Sequence, residues 1–422
     1  MILRSPHPDP SIPSLTLTEF VFARAHEWPD RLAVTCGVTG QSYTYAELQS
    51  AVRACAAGLW ARGVRHGDVI GLVSMNTPDF IVLLHGAACI GAVTTTINPT
   101  ATAHEIADQL RDAGARLLVT AAALVEKARE VAQHAAITDL IVFGSTEGAT
   151  SFASILRPDL AVPEVTVDPS RDLVVLPYSS GTSGLPKGVM LTHRNLVANL
   201  VQTVAGDRIL DEGDRLIAVL PFFHIYGMVP VMNGALMLGC HLVTLPRFDL
   251  ELFLTTIETH GITFAHIVPP ILVALAKHPM VDDYTLTSLR ALFSGAAPLG
   301  AELAHAVEQR LGCIVRQGYG LTETSPVTHF HPQHGPRAVH GSVGPLVPGT
   351  EARLVDVETG RDVAPGERGE LWMRGPQVMR GYLNRPDATA AVIDAEGWFH
   401  SGDVAVVDEH GWFTIVDRVK EL

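Results

Sequence analysis

The chain has 422 residues, 47% of them hydrophobic and only 18% charged, and a net charge of −14. That length supports more than one buried core, and two or three subdomains are expected. The acidic balance excludes non-specific nucleic-acid binding, so sites for anionic ligands need local positive charge, for which Lys187, Arg247, Arg418 and Lys420 are candidates.

The stretch from Met1 to Thr16 is rich in Pro and Ser and lacks the apolar centre of a secretion signal. No run of 18 apolar residues follows, so no membrane span is expected. Five scattered cysteines (Cys36, Cys55, Cys89, Cys240 and Cys313) form no Cys-x-x-Cys pair, and the 19 histidines form no His-Glu-x-x-His pattern. The thiols read as small buried side chains in a reducing, cytoplasmic setting, not as a disulfide framework or zinc site.

From Asp68 to about Arg316 short apolar runs alternate with helical stretches. Residues 69–73 predict a strand and 78–90 a helix. Thr102 and Glu105 have capping-box spacing and open a helix ended near Gly114. Strands follow at 117–119, 140–143 and 173–176. Beyond a Gly/Ser loop, a helix starts near His193. Then come a strand at 216–220, a helix at 231–238, a strand at 241–245, a helix at 250–260, strands at 264–268 and 289–293, and a helix at 300–311. This alternation predicts parallel sheets with helices on both faces, and ligands at the carboxyl ends of the strands.

Near Pro336 the pattern changes. From Gly341 to Val416 short alternating runs are broken by Pro-Gly, Gly-Glu and Gly-Trp turns, which predicts antiparallel strands in a small barrel. The expected fold class is therefore α/β, with two parallel-sheet subdomains and flanking helices over 1–175 and 176–335, and an antiparallel β-barrel over 336–417.

Residues 178–189 read Tyr-Ser-Ser-Gly-Thr-Ser-Gly-Leu-Pro-Lys-Gly-Val. Hydroxyls of Ser179, Ser180, Thr182 and Ser183 surround Gly181 and Gly184, and Lys187 follows. Such a loop can wrap a polyphosphate: glycines admit close backbone approach, and N–H groups, hydroxyls and an ammonium donate to phosphate oxygens. A generic Gly/Ser loop would read as a linker, but ordered Gly/Lys spacing behind an apolar strand argues for a ligand. The pattern is neither a Walker A loop nor a dinucleotide fingerprint.

Further segments carry chemistry. Pro221 to Gly227 contains His224 and Tyr226 after a strand; alone, His224 reads more naturally as a hydrogen-bonded loop histidine. Ser294-Gly295-Ala296-Ala297-Pro298-Leu299 leaves room for an aromatic base or acyl group, or is simply a tight turn. In Gln317-Gly318-Tyr319-Gly320-Leu321-Thr322-Glu323 the glycines permit a tight path beside a flat ligand. There Thr322 offers a hydroxyl to phosphate and Glu323 a hard oxygen to Mg²⁺; alone, the segment reads equally well as a glycine turn. Asp403 can accept from ribose hydroxyls and Arg418 offers a fork of donors, unless the two form a surface ion pair.

In order and approximate spacing, these segments resemble the adenylate-forming superfamily of acyl- and aryl-CoA ligases, luciferases and peptide-synthetase adenylation domains. The look is nearest to 4-coumarate:CoA ligases and covers about Thr16 to Leu422. The resemblance implies that Ser179, Ser180, Gly181, Thr182, Ser183, Gly184 and Lys187 hold the ATP phosphates. It implies Thr322 at the α-phosphate, Glu323 at Mg²⁺, and Asp403 and Arg418 at the ribose. Ala296, Gln317, Gly318 and Tyr319 would border the acyl-adenylate. His224, Tyr226, Gly295, Gly320, Pro326, Val327 and Phe330 would line the acyl group. Lys187, His224, Thr322, Glu323 and Lys420 are the implied catalytic set, and Arg247 falls where the family has a lysine near CoA. Pro230 falls where plant enzymes have a hydroxyl residue.

The implied reaction joins a small carboxylic acid, cinnamate- or 4-coumarate-like, to AMP and then to CoA. It is expected of a monomer or homodimer. A medium- or long-chain fatty-acyl ligase, a carrier-protein adenylation domain and a non-catalytic acyl-adenylate binding module are the other readings. Residues 418–422 match the family's hinge. The small C-terminal domain that follows in the family is absent from the sequence, so poor ligation by this chain alone is expected.

Overall fold

The computed structural model describes residues 1–179, 186–206, 210–332 and 341–421. Three sheets organise the chain. The central strands of the first are Leu173–Val175, Val93–Ile97, Val69–Val73, Ala115–Ala121 and Leu140–Phe143, all parallel. The second runs Ile314–Gly320, Ala291–Ser294, Phe264–Ile267, Arg215–Ala218, His241–Thr244 and Leu32–Cys36, again parallel. Their residues are buried almost without interruption, as expected of strands covered by helices on both faces.

Local chemistry sets the helix ends. Thr102 accepts from Glu105 N while the Glu105 carboxylate takes Thr102 N, the predicted capping box, and Gly114 ends the helix Ala103–Ala113 at φ 65°. Thr16 with Glu19, Thr44 with Glu47, and Thr192 with Asn195 do the same for Leu17–Val21, Tyr45–Ala61 and His193–Ala205. The helices Tyr45–Ala61 and Pro78–Cys89 pack closely because Gly86 lacks a Cβ, which would lie 2.7 Å from Cys55 Sγ.

The sheets are not contiguous chain segments. The hairpin Leu32–Cys36 and Ser42–Thr44 joins the second sheet, and Lys187–Thr192 joins the first. Leu3–Arg4 pairs with Glu351–Val355 in the third. That third sheet continues through Gly369–Arg374 and Phe399–Val407 to Phe413–Arg418, all antiparallel. It corrects the expected barrel: no described pairing joins its two edge strands, so it is an open, curled half-barrel. Its first edge strand, Leu3–Arg4, is two residues long.

Helical structure also starts earlier than the predicted 231–238. A π-helical stretch, Gly227–Asn233, leads into Gly234–Met237. Pro230 lies inside it and has no N–H to give, and the wider hydrogen-bond spacing accommodates that loss. Asn233 Nδ2 donates to Met228 O at 2.8 Å across the same turn.

The two parallel sheets are fastened where their strand ends meet. Buried Asn76 follows Val69–Val73 in the first sheet. Its Nδ2 donates to Ala218 O at 3.0 Å and Leu220 O at 2.9 Å, and its Oδ1 accepts from Phe222 N at 2.8 Å. Thr96 adds a bond to Phe223 O at 2.7 Å. These bonds fix the loop that begins at Pro221.

Candidate functional site

The carboxyl ends of the second sheet's strands open on a cavity of about 410 Å³. Of the expected site residues it brings together Ser179, His224, Tyr226, Gly295, Ala296 and Gly318. Tyr319, Gly320, Thr322, Glu323, Pro326, Val327 and Arg418 also line it. Ser180, Gly181, Thr182, Ser183 and Gly184 lie outside the described residues.

At one end is a carboxylate held by two hydroxyls. Glu323 is buried, and its Oε1 accepts from Ser179 Oγ at 2.7 Å and from Tyr382 Oη at 2.9 Å. Neither bond takes Oε2. The arrangement depends on the strand Lys187–Thr192, which has Tyr178–Ser179 along one edge and Gly381–Tyr382 along the other. Lys187 lies over the Tyr382 ring, its Nζ 5.0 Å from the ring centre. Desolvation and the Glu323 charge raise the Tyr382 pKa, so the phenol stays a donor.

A second carboxylate lies at the half-barrel. Asp403 accepts from Tyr319 Oη and meets Arg418 Nε at 3.1 Å. Burial raises its pKa above the usual aspartate range, against the lowering pull of Tyr319 and Arg418. Asp403 and Arg418 stand opposite each other in the antiparallel ladder, which brings the pair together.

The apolar end is built around Tyr226. Its Oη donates to Phe293 O at 3.2 Å and lies 3.2 Å from His266 Nδ1. A Cβ on Gly295 would stand 2.8 Å from the Tyr226 ring, so glycine is required there. A Cβ on Gly318 would stand 2.8 Å from Phe293. Ala296 adopts φ 67°, the left-handed region, at the tight turn after Ala291–Ser294. Tyr226, Phe293 and Val327 also wall a smaller cavity of about 70 Å³, where Pro230, His266 and Phe330 lie. His224, on the fastened loop, is exposed towards the main cavity, and the surrounding protein lowers its pKa by desolvation.

Six expected residues among those described do not line the main cavity; Lys187 touches its lining only through Tyr382, and Asp403 only through Tyr319 and Arg418. Gln317 is buried and clasps the 295–299 turn from behind, accepting from Leu299 N at 3.3 Å. Arg247 and Lys420 are exposed and line neither cavity. Phe330 faces only the smaller cavity. Sequence reasoning missed Tyr382 and the role of Asn76. Tyr382 follows Gly381 in the β-rich region and carries no signal linking it to Glu323. His400, stacked on Trp372 with ring centres 3.7 Å apart, also lines the cavity.

A buried carboxylate beside a lysine, a carboxylate–arginine pair and an apolar tunnel in one cleft suit a nucleotide joined to an apolar group. The chain belongs to the family described as AMP-binding enzyme, whose model matches residues 21–383. Within it, the chain is 42% identical to 4-coumarate–CoA ligase 3 of Oryza sativa subsp. japonica, over all of this chain and 77% of that protein. Among solved structures it resembles a long-chain-fatty-acid-CoA ligase (FadD1) from Archaeoglobus fulgidus, with TM-score 0.89 and 26% identity over 99% of this chain and 86% of that one. It also resembles ATP-bound MatB from Rhodopseudomonas palustris, with TM-score 0.85 and 30% identity over 97% and 80% of the two chains.

Proposed function

We propose that the chain is an AMP-forming acid–thiol ligase acting on an aryl propenoic acid of the cinnamate or 4-coumarate type. The observation that carries this reading is the shared cleft: Glu323 with Ser179 and Tyr382 at one end, Lys187 over the Tyr382 ring, Tyr226 and Gly295 at the other end, and Arg418 in the wall with Asp403 paired to it. ATP would lie with its phosphates towards Lys187 and Thr322 and its ribose on Asp403 and Arg418. A carboxylate oxygen attacks the α-phosphorus and pyrophosphate leaves. The thiolate of CoA then attacks the acyl carbon, and AMP leaves with the bonding pair. The protein's part is to orient two anions and to offset charge on phosphate oxygens.

The residues fit a magnesium ion. No cluster of three or more metal-ligating side chains occurs among the described residues. One buried carboxylate with an uncommitted oxygen suits a cation that takes its remaining ligands from phosphate and water. Glu323 would hold it, and when bound it neutralises charge on the phosphates.

Gly295 and Gly318 let the Tyr226 and Phe293 rings pack flat against the backbone, and an acyl end walled by these two rings favours an aromatic acid over a branched one. The smaller apolar cavity favours a second reading, in which an unbranched acyl chain continues past Tyr226. Calorimetry with non-hydrolysable acyl-adenylate mimics separates the two. Cinnamoyl and coumaroyl mimics should bind at least about tenfold more tightly than a decanoyl one; the reverse order overturns the aryl reading. No described helix is long and apolar enough to cross a membrane, and the free cysteines suit a cytoplasmic setting.

A further inference from the structure

Asp112 lines neither cavity, yet it grips both segments that hold Glu323. It is the penultimate residue of the helix Ala103–Ala113. Its Oδ2 accepts from Tyr178 Oη at 2.7 Å, and its Oδ1 meets Arg385 at 3.2 Å. Its backbone oxygen accepts from Asn384 Nδ2 at 3.4 Å. Tyr178 and Ser179 are neighbours on one strand, so their side chains leave on opposite faces. Tyr178 goes to Asp112 and Ser179 to Glu323. On the other edge, Arg385 and Asn384 go to Asp112, while Tyr382 goes to Glu323. Between the edges runs the strand of Lys187, held to the turn by Leu383 N donating to Gly188 O at 2.8 Å. The Tyr178 ring lies flat on this strand, 3.1 Å from where a Gly188 Cβ would be. The ribbon is therefore fastened twice, by Asp112 on one face and by Glu323 on the other.

We infer that Asp112 is a positioning residue for the metal–triphosphate end of the site, setting the spacing of Ser179, Lys187 and Tyr382 around Glu323. This rests on the ATP-dependent reading above. Asp112 touches no reacting atom. Without it Tyr178 and the 382–385 turn lose their common anchor, and the hydroxyls on Glu323 lose their fixed separation. The effect belongs to ligands that use that end, while the Asp403–Arg418 end stands on a different sheet.

The test compares the affinities of Mg·ATP and of AMP, which lacks the β- and γ-phosphates, together with thermal stability. Asp112→Ala should weaken Mg·ATP about tenfold and AMP less than about twofold, since misplacement acts only where the displaced groups bind. Asp112→Asn, which keeps an acceptor for Tyr178, should recover part of the loss. If Asp112→Ala does not fold, Tyr178→Phe removes one hydroxyl and should show the same selectivity for Mg·ATP. Parallel losses for both nucleotides, or no change in either, overturn the inference. A wild-type chain that binds neither nucleotide overturns the ATP-dependent reading and this inference with it.

Discussion

Gly295 shows how one missing atom shapes the cleft. Its absent Cβ is the space taken by the Tyr226 ring, and the nearest ring atom would be only 2.8 Å away. Gly295→Ala must push Tyr226 off its bonds to Phe293 and His266 or block the acyl end, a change of the overpacking kind costing about 1–3 kcal/mol. The acid's KM should rise about tenfold while ATP affinity stays within about twofold, measured by calorimetry and steady-state kinetics on the same preparation. Asp403 makes a pH prediction. Its pKa is raised by burial, so the ionised form, proposed above to hold the ribose, is lost at a higher pH than for an ordinary aspartate, about 3.9. AMP affinity should be full above that raised midpoint and fall as pH drops through it. The ratio of wild-type to Asp403→Asn affinity should trace the step.

At the scale of elements, the strands and helices of the parallel sheets were legible because continuous apolar runs and capping patterns are local. The Ala103–Ala113 helix has its capping box and its terminal glycine where the sequence put them. The Gly227–Asn233 start was not legible, because a proline inside a helix reads as a boundary unless wider hydrogen-bond spacing absorbs it. Nor was sheet closure: the alternating pattern over 341–416 is the same for an open half-barrel and a closed one. The clamp at Asn76 is invisible in sequence because its three partners lie more than 140 positions away. Asn76→Ala would take this partner from Leu220 O and Phe222 N, while Ala218 O keeps Leu245 N. The expected cost is roughly 2–4 kcal/mol, read as a lower midpoint in urea, with looser seating of His224 and Tyr226 as an increased KM for the acid.

For the whole molecule, four buried histidines set the acid limit of stability. Desolvation lowers His85, His266 and His329 to about 3 and His193 to about 4. In the unfolded chain they titrate near 6.5. Between those values the unfolded state binds more protons, so stability is complete above about pH 6.5 and declines as pH falls towards the folded values. The slope reaches about 1.4 kcal/mol per pH unit for each residue. Denaturant midpoints should drop steadily between about pH 7 and pH 5; a flat profile would show that these rings are charged in the fold. Where chemistry clusters along the chain, the sequence pointed to residues that share the cavity wall, as with Ser179 and 318–323. The site was illegible where distant segments meet on the Lys187–Thr192 strand, as with Tyr382 and Asp112, because those pairings are set by topology.

Asp403 and Arg418 face each other on the half-barrel's outer pair of strands, and Phe413–Arg418 is the last strand, tied on its outer side to Gly344 at its Phe413 end, away from Arg418. In such a ladder, a slip of one residue sends every side chain to the opposite face. A slipped edge would turn Arg418 away from Asp403 and from the cleft. A nucleotide bound as proposed, on both residues, would therefore work as a stitch at the hem of the sheet. Its affinity and the registry of that last strand are two readings of a single equilibrium.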